Sequence, residues 1–224
     1  MHADRLTRDD GAMAQDRSLL DRCNTALNES DVVGLRVNWP GRTVRLLLHV
    51  LALPAYGPVD PDTRRALVFT GVSLVRVLLR ADRTFSRDYG NAIDLADADA
   101  ADAFLASVGW SNPMYGWSFL NDPQLTEDWP ERLSLVLDAG GPPAAHTLYW
   151  FCECGREEPG GDGAYCIEGD IRFDRLEVER ADGTVIPLTS FAADGERWWE
   201  AFRTGDPRVS GEAQQSQPPS PAWT

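Results

Sequence analysis

Four apolar segments between residues 31 and 80 constrain the fold more than any other feature of the sequence. In the first segment, Val33, Leu35 and Val37 alternate with polar or small residues, which is the period of a half-buried β-strand. The second segment, residues 43–53, is apolar on both sides of the alternation, so we expect neighbours to cover both of its faces. This region commits the chain to a β-sheet core.

Later apolar segments extend the core and add helices. The alternation predicts three more strands, at residues 132–138, 146–154 and 165–173. The apolar pattern changes phase at Asp174 and Arg175, which suggests a bulge, and a hairpin turn is predicted at residues 181–183. Helical spacing predicts three helices, at residues 18–28, 96–108 and 194–204. We therefore predict a mainly β (α+β) fold, a two-sheet antiparallel β-sandwich with one or two packed helices.

The strand pattern recurs without a clear linker, which predicts a single β-rich domain over residues 18–205. Residues 1–17 are polar and aperiodic, and residues 206–224 are rich in Pro, Ser and Gln, so we predict disorder in both segments. The cysteines are unevenly spread and the first residues are too polar for a signal peptide. A reducing, cytoplasmic location is the simplest interpretation.

The formal net charge is −14, and all 21 basic residues are arginines. Chemistry that needs a lysine, such as Schiff-base formation or a lysine-dependent P-loop, is therefore excluded. A negative surface also disfavours nucleic acid, because phosphate binding needs cationic side chains. Arg45 and His49 interrupt the most apolar segment, so no membrane span is predicted. The composition reflects either a GC-rich genome or a selected acidic binding face.

One arrangement resembles a metal site: His146, Cys152, Cys154 and Cys166 are ligands that zinc accepts. Their spacing is irregular, because Cys152 and Cys154 end a strand where structural zinc sites use a tight turn. If the strands at residues 146–154 and 165–173 pair as a hairpin, the apolar register sends Cys166 to the face opposite Cys152 and Cys154. Zinc binding, a redox disulfide and inert thiols remain the alternatives.

Motifs of known enzymes are missing from the sequence. It contains no Gly-x-Ser-x-Gly and no His-Glu-x-x-His, and the glycines at residues 160–163 lack a phosphate-binding context. His49 and His146 are the only histidines inside the predicted domain, and both lie on predicted strands. We therefore predict no cofactor and no enzymatic activity, with a zinc-binding or thiol-dependent enzyme as the alternative.

An aromatic segment at residues 110–119 is the predicted partner-binding surface. Its partner-binding residues would be Trp110, Met114, Tyr115 and Trp117. Tyr115 and Trp117 would be the anchors, because aromatic side chains give large contact areas at low entropic cost. The alternative is a loop that closes one end of the core. Three acidic residues could form a charged rim around the anchors: Glu157, Glu158 and Asp162.

Four stretches of the sequence resemble a family of small bacterial β-rich proteins. They are residues 31–37, residues 67–72 and the pair of short motifs at residues 114–117 and 146–148. The pattern is similar to the YxiG-like group and related immunity proteins of polymorphic toxin systems. The resemblance implies an intracellular immunity protein that neutralises a cognate toxin by binding it, with no catalytic residues.

Overall fold

The computed structural model describes residues 18–82, 89–108, 114–119, 122–155, 164–210 and 222–223. Only the backbone is described for six of these residues: Asp82, Tyr89, Tyr115, Gly116, Cys154 and Gly155. Three helices are present in the described part of the chain: α1 (residues 18–27), α2 (Ala98–Val108) and α3 (Leu188–Thr204). None of them is long and apolar enough to span a bilayer.

The described strands are β1 (Asp31–Asn38), β2 (Thr43–His49), β3 (Arg64–Thr70), β4 (Leu74–Asp82), β5 (Tyr89–Ala92), β6 (Met114–Ser118), β7 (Leu135–Asp138), β8 (His146–Gly155), β9 (Ala164–Phe173), β10 (Arg175–Arg180) and β11 (Val185–Ile186). They form two antiparallel sheets. The first has the order β1-β2-β3-β10-β11, and the second has the order β5-β4-β9-β8-β6, with β7 also paired to β4. The predicted two-sheet α+β sandwich is confirmed.

Two strands pass from one sheet to the other at a single corner. β3 continues into β4 through Gly71, and β9 continues into β10 through Asp174, whose backbone N donates to the Thr70 carbonyl at 3.0 Å. Gly71 has φ +66°, and a Cβ there would lie only 2.8 Å from the Cβ of Asp174, so only glycine fits. The predicted phase change at Asp174 is therefore a corner between sheets and not a bulge within one strand.

The main core lies between the sheets. Phe69 of the first sheet meets Phe173 of the second with ring centroids 4.8 Å apart, and both are fully buried. β1 contains a bulge between Val32 and Gly34 that shifts its alternation. As a result Val32 faces the core, while Val33, predicted on the same face as Leu35, packs on the outside of the sheet.

Helix α3 begins at Leu188, six residues before its predicted start at residue 194. Gly195 lies inside the helix, where glycine is normally unfavourable. In the structure Gly195 is where α3 crosses α1, and a Cβ there would overlap the Cα and Cβ of Ala26. Tertiary packing selects this glycine and overrides its low helix propensity.

The folded part continues past residue 205, where disorder was predicted to begin. Pro207–Val209 forms a 3-10 helix, Asp206 caps it by accepting from the Arg208 backbone N at 2.9 Å, and Val209 is buried. Trp223 is also described and packs against the first sheet. The predicted disorder of residues 1–17 concerns a segment outside the described residues.

Candidate functional site

The predicted aromatic anchors do not form an exposed cluster in the described part of the chain. Met114 is fully buried, because it pairs with Cys152 on the core-facing side of β8. A fully buried side chain cannot contact a partner, so the prediction for Met114 is wrong. Trp117 is half-buried and packs against the main core. Trp110 and the side chain of Tyr115 lie outside the described residues.

The three residues of the predicted acidic rim, Glu157, Glu158 and Asp162, also lie outside the described residues. Their role in binding remains a prediction.

The candidate metal ligands are placed on different faces and at different ends of the second sheet. Cys152 pairs with Ile167 and faces the core, whereas Cys166 pairs with Glu153 on the opposite face, as the register argument predicted. His146 lies six residues before Cys152 on the same strand, which separates them by about 20 Å. The side chain of Cys154 is outside the described part. In the described part, no three His, Cys, Asp or Glu side chains are grouped to hold a metal ion.

The described thiols and His49 occupy buried positions with little reactivity. Cys23, Cys152 and Cys166 are buried and form no disulfide, and burial raises the pKa of Cys23 to about 12. Because the thiolate is the nucleophile, Cys23 is inert at neutral pH. Burial, followed by the charge of Arg64, lowers the pKa of His49 to about 4. His49 is therefore neutral at pH 7, and its Nδ1 lies 2.9 Å from the Thr63 hydroxyl.

A layer of charged side chains lies on the outer face of the second sheet. It consists of Arg76 and Arg80 from β4 and of Glu168 and Asp170 from β9, and we call these four residues the charged layer. They share a face because they alternate with core residues along paired strands. Both carboxylates are only 3% exposed. Such burial is tolerated only where each charge has partners.

Glu168 is satisfied by three donors. Trp129 Nε1 and the Tyr149 hydroxyl donate to its Oε2 at 2.8 and 2.9 Å, and Arg80 Nη2 donates to its Oε1. Burial first, and then the neighbouring Glu168 charge, raise the pKa of Tyr149 above its ordinary value. Tyr149 therefore stays protonated and remains a donor. Trp129 lies over this part of the sheet and shields it from water.

Among the described residues, Arg76 is the hydrogen-bond partner of both oxygens of Asp170. Nε and Nη2 of Arg76 donate to the two carboxylate oxygens at 2.8 and 2.6 Å, a bidentate geometry. The guanidinium also lies 4.9 Å from the centre of the Trp129 ring. The four members of the charged layer thus neutralise one another. Neither carboxylate is placed to exchange a proton with a substrate, since each of their oxygens already accepts a hydrogen bond.

A pocket of about 160 Å³ opens at one end of the charged layer, with Arg76 and Asp170 in its lining. Its floor includes Thr147, Tyr149 and Arg172, and the 3-10 helix Pro123–Thr126 forms one wall. Arg172 Nε is buried and has no hydrogen-bond partner among the described residues. Small-molecule sites usually enclose roughly 300–1,000 Å³, so this pocket is small for a substrate.

Two exposed aromatic side chains of the described residues lie elsewhere, Phe202 near the carboxyl-terminal end of α3 and Tyr56 in a loop. Phe202 is 56% exposed and stacks on the buried Trp198 with ring centroids 5.4 Å apart. Trp199 is half-buried and meets Phe202 edge-on at 5.9 Å. Tyr56 is 91% exposed in the loop between β2 and β3. We call Tyr56, Trp199 and Phe202 the aromatic surface.

A small satellite core holds these elements together. Leu53 and Val59, which flank Tyr56 in the loop, pack with Trp198, Trp199 and Val209. The backbone N of Leu53 donates to the Asp194 carbonyl at 3.0 Å, and Arg197 Nε donates to the Leu53 carbonyl at 3.1 Å. The loop and the end of α3 therefore present their aromatic residues from one packed unit.

Comparison with protein-family models, with curated proteins and with solved structures finds no match. The resemblance to immunity proteins therefore stays a prediction, and the functional argument rests on the geometry.

The sequence predicts that Phe202 lies with Trp198 and Trp199 on the apolar side of the helix at residues 194–204, and this prediction missed its exposure. The three positions span about 100° of the helix, which is the width of an ordinary core-facing stripe, so the pattern gave no signal that Phe202 is exposed. Tyr56 had a signal, since it lies among turn-forming residues without a strand or helix pattern.

Proposed function

We propose that this protein is a non-enzymatic binding protein that recognises a protein partner through the aromatic surface. The exposure of Phe202, an aromatic ring stacked on the buried Trp198 near the end of α3, carries the proposal. Large aromatic side chains exposed together and rimmed by polar groups are typical of interaction sites. The charged layer supports a structural role for the buried ionisable groups, which favours binding over catalysis.

Phe202 has the properties of an interface anchor. A phenylalanine side chain can bury about 200 Å², so the exposed 56% corresponds to about 110 Å² that a partner could cover. At roughly 25 cal/mol per Å², this contact is worth about 2–3 kcal/mol. Trp198 holds the ring from below by stacking, so little side-chain entropy is lost on binding.

The charges of the protein suggest the character of the partner. The cations near the aromatic surface are already paired, Arg203 with Glu200 at 2.5 Å and Arg208 with Asp206 at 2.7 Å. The chain as a whole carries a net charge of −14. A field of this sign accelerates association with a basic protein. A basic cognate toxin, which the family resemblance implies, fits this description, and binding it would neutralise the toxin inside the cell.

The test is to co-express the protein with the product of the adjacent reading frame and to measure their affinity by isothermal titration calorimetry. We expect Phe202→Ala to weaken binding by at least about tenfold, which corresponds to about 1.4 kcal/mol. Val185→Ala is the matched control, because Val185 is similarly exposed, at 54%, but lies on β11 outside the aromatic surface. Equal affinities of the two variants would contradict the proposed surface, and absence of association would contradict the proposed partner.

A further inference from the structure

An apolar patch lies on the outer face of the first sheet. Leu47 of β2 pairs with Ala66 of β3, and Val68 follows two residues along β3, so the three side chains are neighbours on one face. They point away from the core between the sheets but are nevertheless buried. Val33, which the bulge in β1 moves to the outer face, joins them. We call these four residues the apolar patch.

The chain itself covers this patch with Trp223. The indole packs on the patch, and its Nε1 donates to the Leu48 carbonyl at 3.3 Å. Arg64 lies with its guanidinium carbon 5.8 Å from the centre of the indole ring, and its Nη1 donates to the Ala222 carbonyl at 3.0 Å. The site therefore recognises an aromatic ring, an indole N–H and the main-chain carbonyl before it.

The geometry of the site does not depend on the tail. Arg64 Nε and Nη2 donate to the two carboxylate oxygens of Asp62, both at 2.9 Å, and this fixes the plane of the guanidinium. The hydrogen bond with Asp62 also raises the pKa of Arg64, so the cation is permanent. Leu47 and Ala66 are held in the sheet by its hydrogen bonds. A site that keeps its shape when empty loses little entropy on binding.

We propose that the apolar patch and Arg64 form a recognition site for a tryptophan-bearing segment of a partner protein, and that Ala222 and Trp223 occupy it until that segment binds. The two described residues of this segment, Ala222 and Trp223, contribute one ring and two hydrogen bonds, so a segment with the same groups competes for them directly. Tryptophan is preferred because phenylalanine has no donor for the Leu48 carbonyl. The site is separate from the aromatic surface and independent of the function proposed above.

A peptide of residues 217–224 provides the probe. We expect it to bind the full chain carrying Trp223→Ala with a dissociation constant on the order of 0.1 mM. It should bind the wild-type chain about tenfold more weakly, because tethered Trp223 competes at an effective concentration on the order of 1 mM. Isothermal titration calorimetry measures both affinities. Circular dichroism and the melting temperature check that the variant is folded.

Two controls connect the binding to the site. A peptide with alanine in place of its tryptophan should not bind, and Arg64→Met in the Trp223→Ala chain should weaken binding about fivefold, the loss expected of one cation–π contact and one hydrogen bond. Arg22→Met is the matched substitution, since Arg22 also pairs with a carboxylate in a bidentate geometry, that of Glu196, but lies on α1 outside the apolar patch. It should leave binding unchanged.

Three outcomes would overturn the proposal. The first is equal affinity of the peptide for the wild-type and Trp223→Ala chains, and the second is no binding to a folded Trp223→Ala chain at millimolar peptide. The third is a wild-type dimer that dissociates on Trp223→Ala, measured by analytical ultracentrifugation, because it would assign the site to the tail of a second copy of this chain.

Discussion

Replacing Glu168 with glutamine tests whether the charged layer is as desolvated as its geometry indicates. The substitution preserves the shape of the side chain but removes the charge that compensates Arg80, whose side chain is 13% exposed. It also introduces an amide NH₂ group. Because donors surround both oxygens of Glu168, this group must face either Arg80 or the pair formed by Trp129 and Tyr149.

The expected loss of stability follows from these contacts. Removing one partner of a buried ion pair destabilises a protein by about 3–5 kcal/mol, since the other charge is left without compensation. A donor facing a donor adds about 1–3 kcal/mol. Arg80 keeps some contact with water, so we expect Glu168→Gln to lower the free energy of unfolding by about 3–5 kcal/mol. A single domain has only about 5–15 kcal/mol in total, so the effect is large.

Urea unfolding at pH 7, followed by tryptophan fluorescence, measures this difference. The control is Glu200→Gln, which removes a carboxylate 2.5 Å from Arg203, in a pair whose side chains are 59% and 70% exposed. A surface pair of this kind contributes less than about 1 kcal/mol. The expected difference is refuted if Glu168→Gln loses no more stability than Glu200→Gln while the dependence of the free energy on urea is unchanged.

Three further predictions concern single residues. His49 has a pKa of about 4 in the folded chain and about 6.5 in the unfolded chain. Between these two values the unfolded state binds more protons than the folded state. The free energy of unfolding therefore falls as the pH falls from about 6.5 to about 4. Between pH 7 and pH 5 the wild type should therefore lose about 1–2 kcal/mol more than His49→Asn in urea unfolding, and parallel curves would contradict this. Gly195→Ala should destabilise by about 1–3 kcal/mol, despite the higher helix propensity of alanine, because of the contact with Ala26. Ala26→Gly should restore part of that loss in calorimetric melting, and a stabilised single variant would show that the helices separate freely. Cys23 should be alkylated at pH 8 only as fast as the chain unfolds, measured by peptide mass spectrometry, and rapid labelling of the native protein would contradict its burial.

The local periodicity of the sequence determined the strands and much of their pairing. Leu148 pairs with Ile171 and Cys152 pairs with Ile167, as predicted, because a slip of one residue would place apolar side chains beside charged ones along the whole ladder. The same register argument places Cys166 and Cys152 on opposite faces from their sequence positions alone. Period and register are local properties, so the sequence was sufficient for them.

The charged layer and the aromatic surface could not be predicted in the same way. Glu168 and Asp170 alternate with core residues and therefore resemble the solvent face of a strand. They are buried because Trp129 and its neighbours cross the outside of the sheet. The hydrogen bond between Trp129 and Glu168, for example, joins residues that are 39 positions apart in the sequence. Whether an outer face is covered depends on where a distant segment runs, and periodicity contains no information about that.

The site on the first sheet also combines one feature that the sequence predicted with one that only the tertiary structure shows. The sequence predicted that neighbours would cover both faces of β2, and Leu47 is indeed buried on the outer face. It could not indicate that Trp223, 175 residues after Leu48, provides the cover and the hydrogen bond to the Leu48 carbonyl. Alternation along a strand is set by the local backbone geometry, so it can be predicted from the sequence of the strand itself. Which segment packs on a face of the sheet depends on the fold of the whole chain, because only folding brings that segment and the face together.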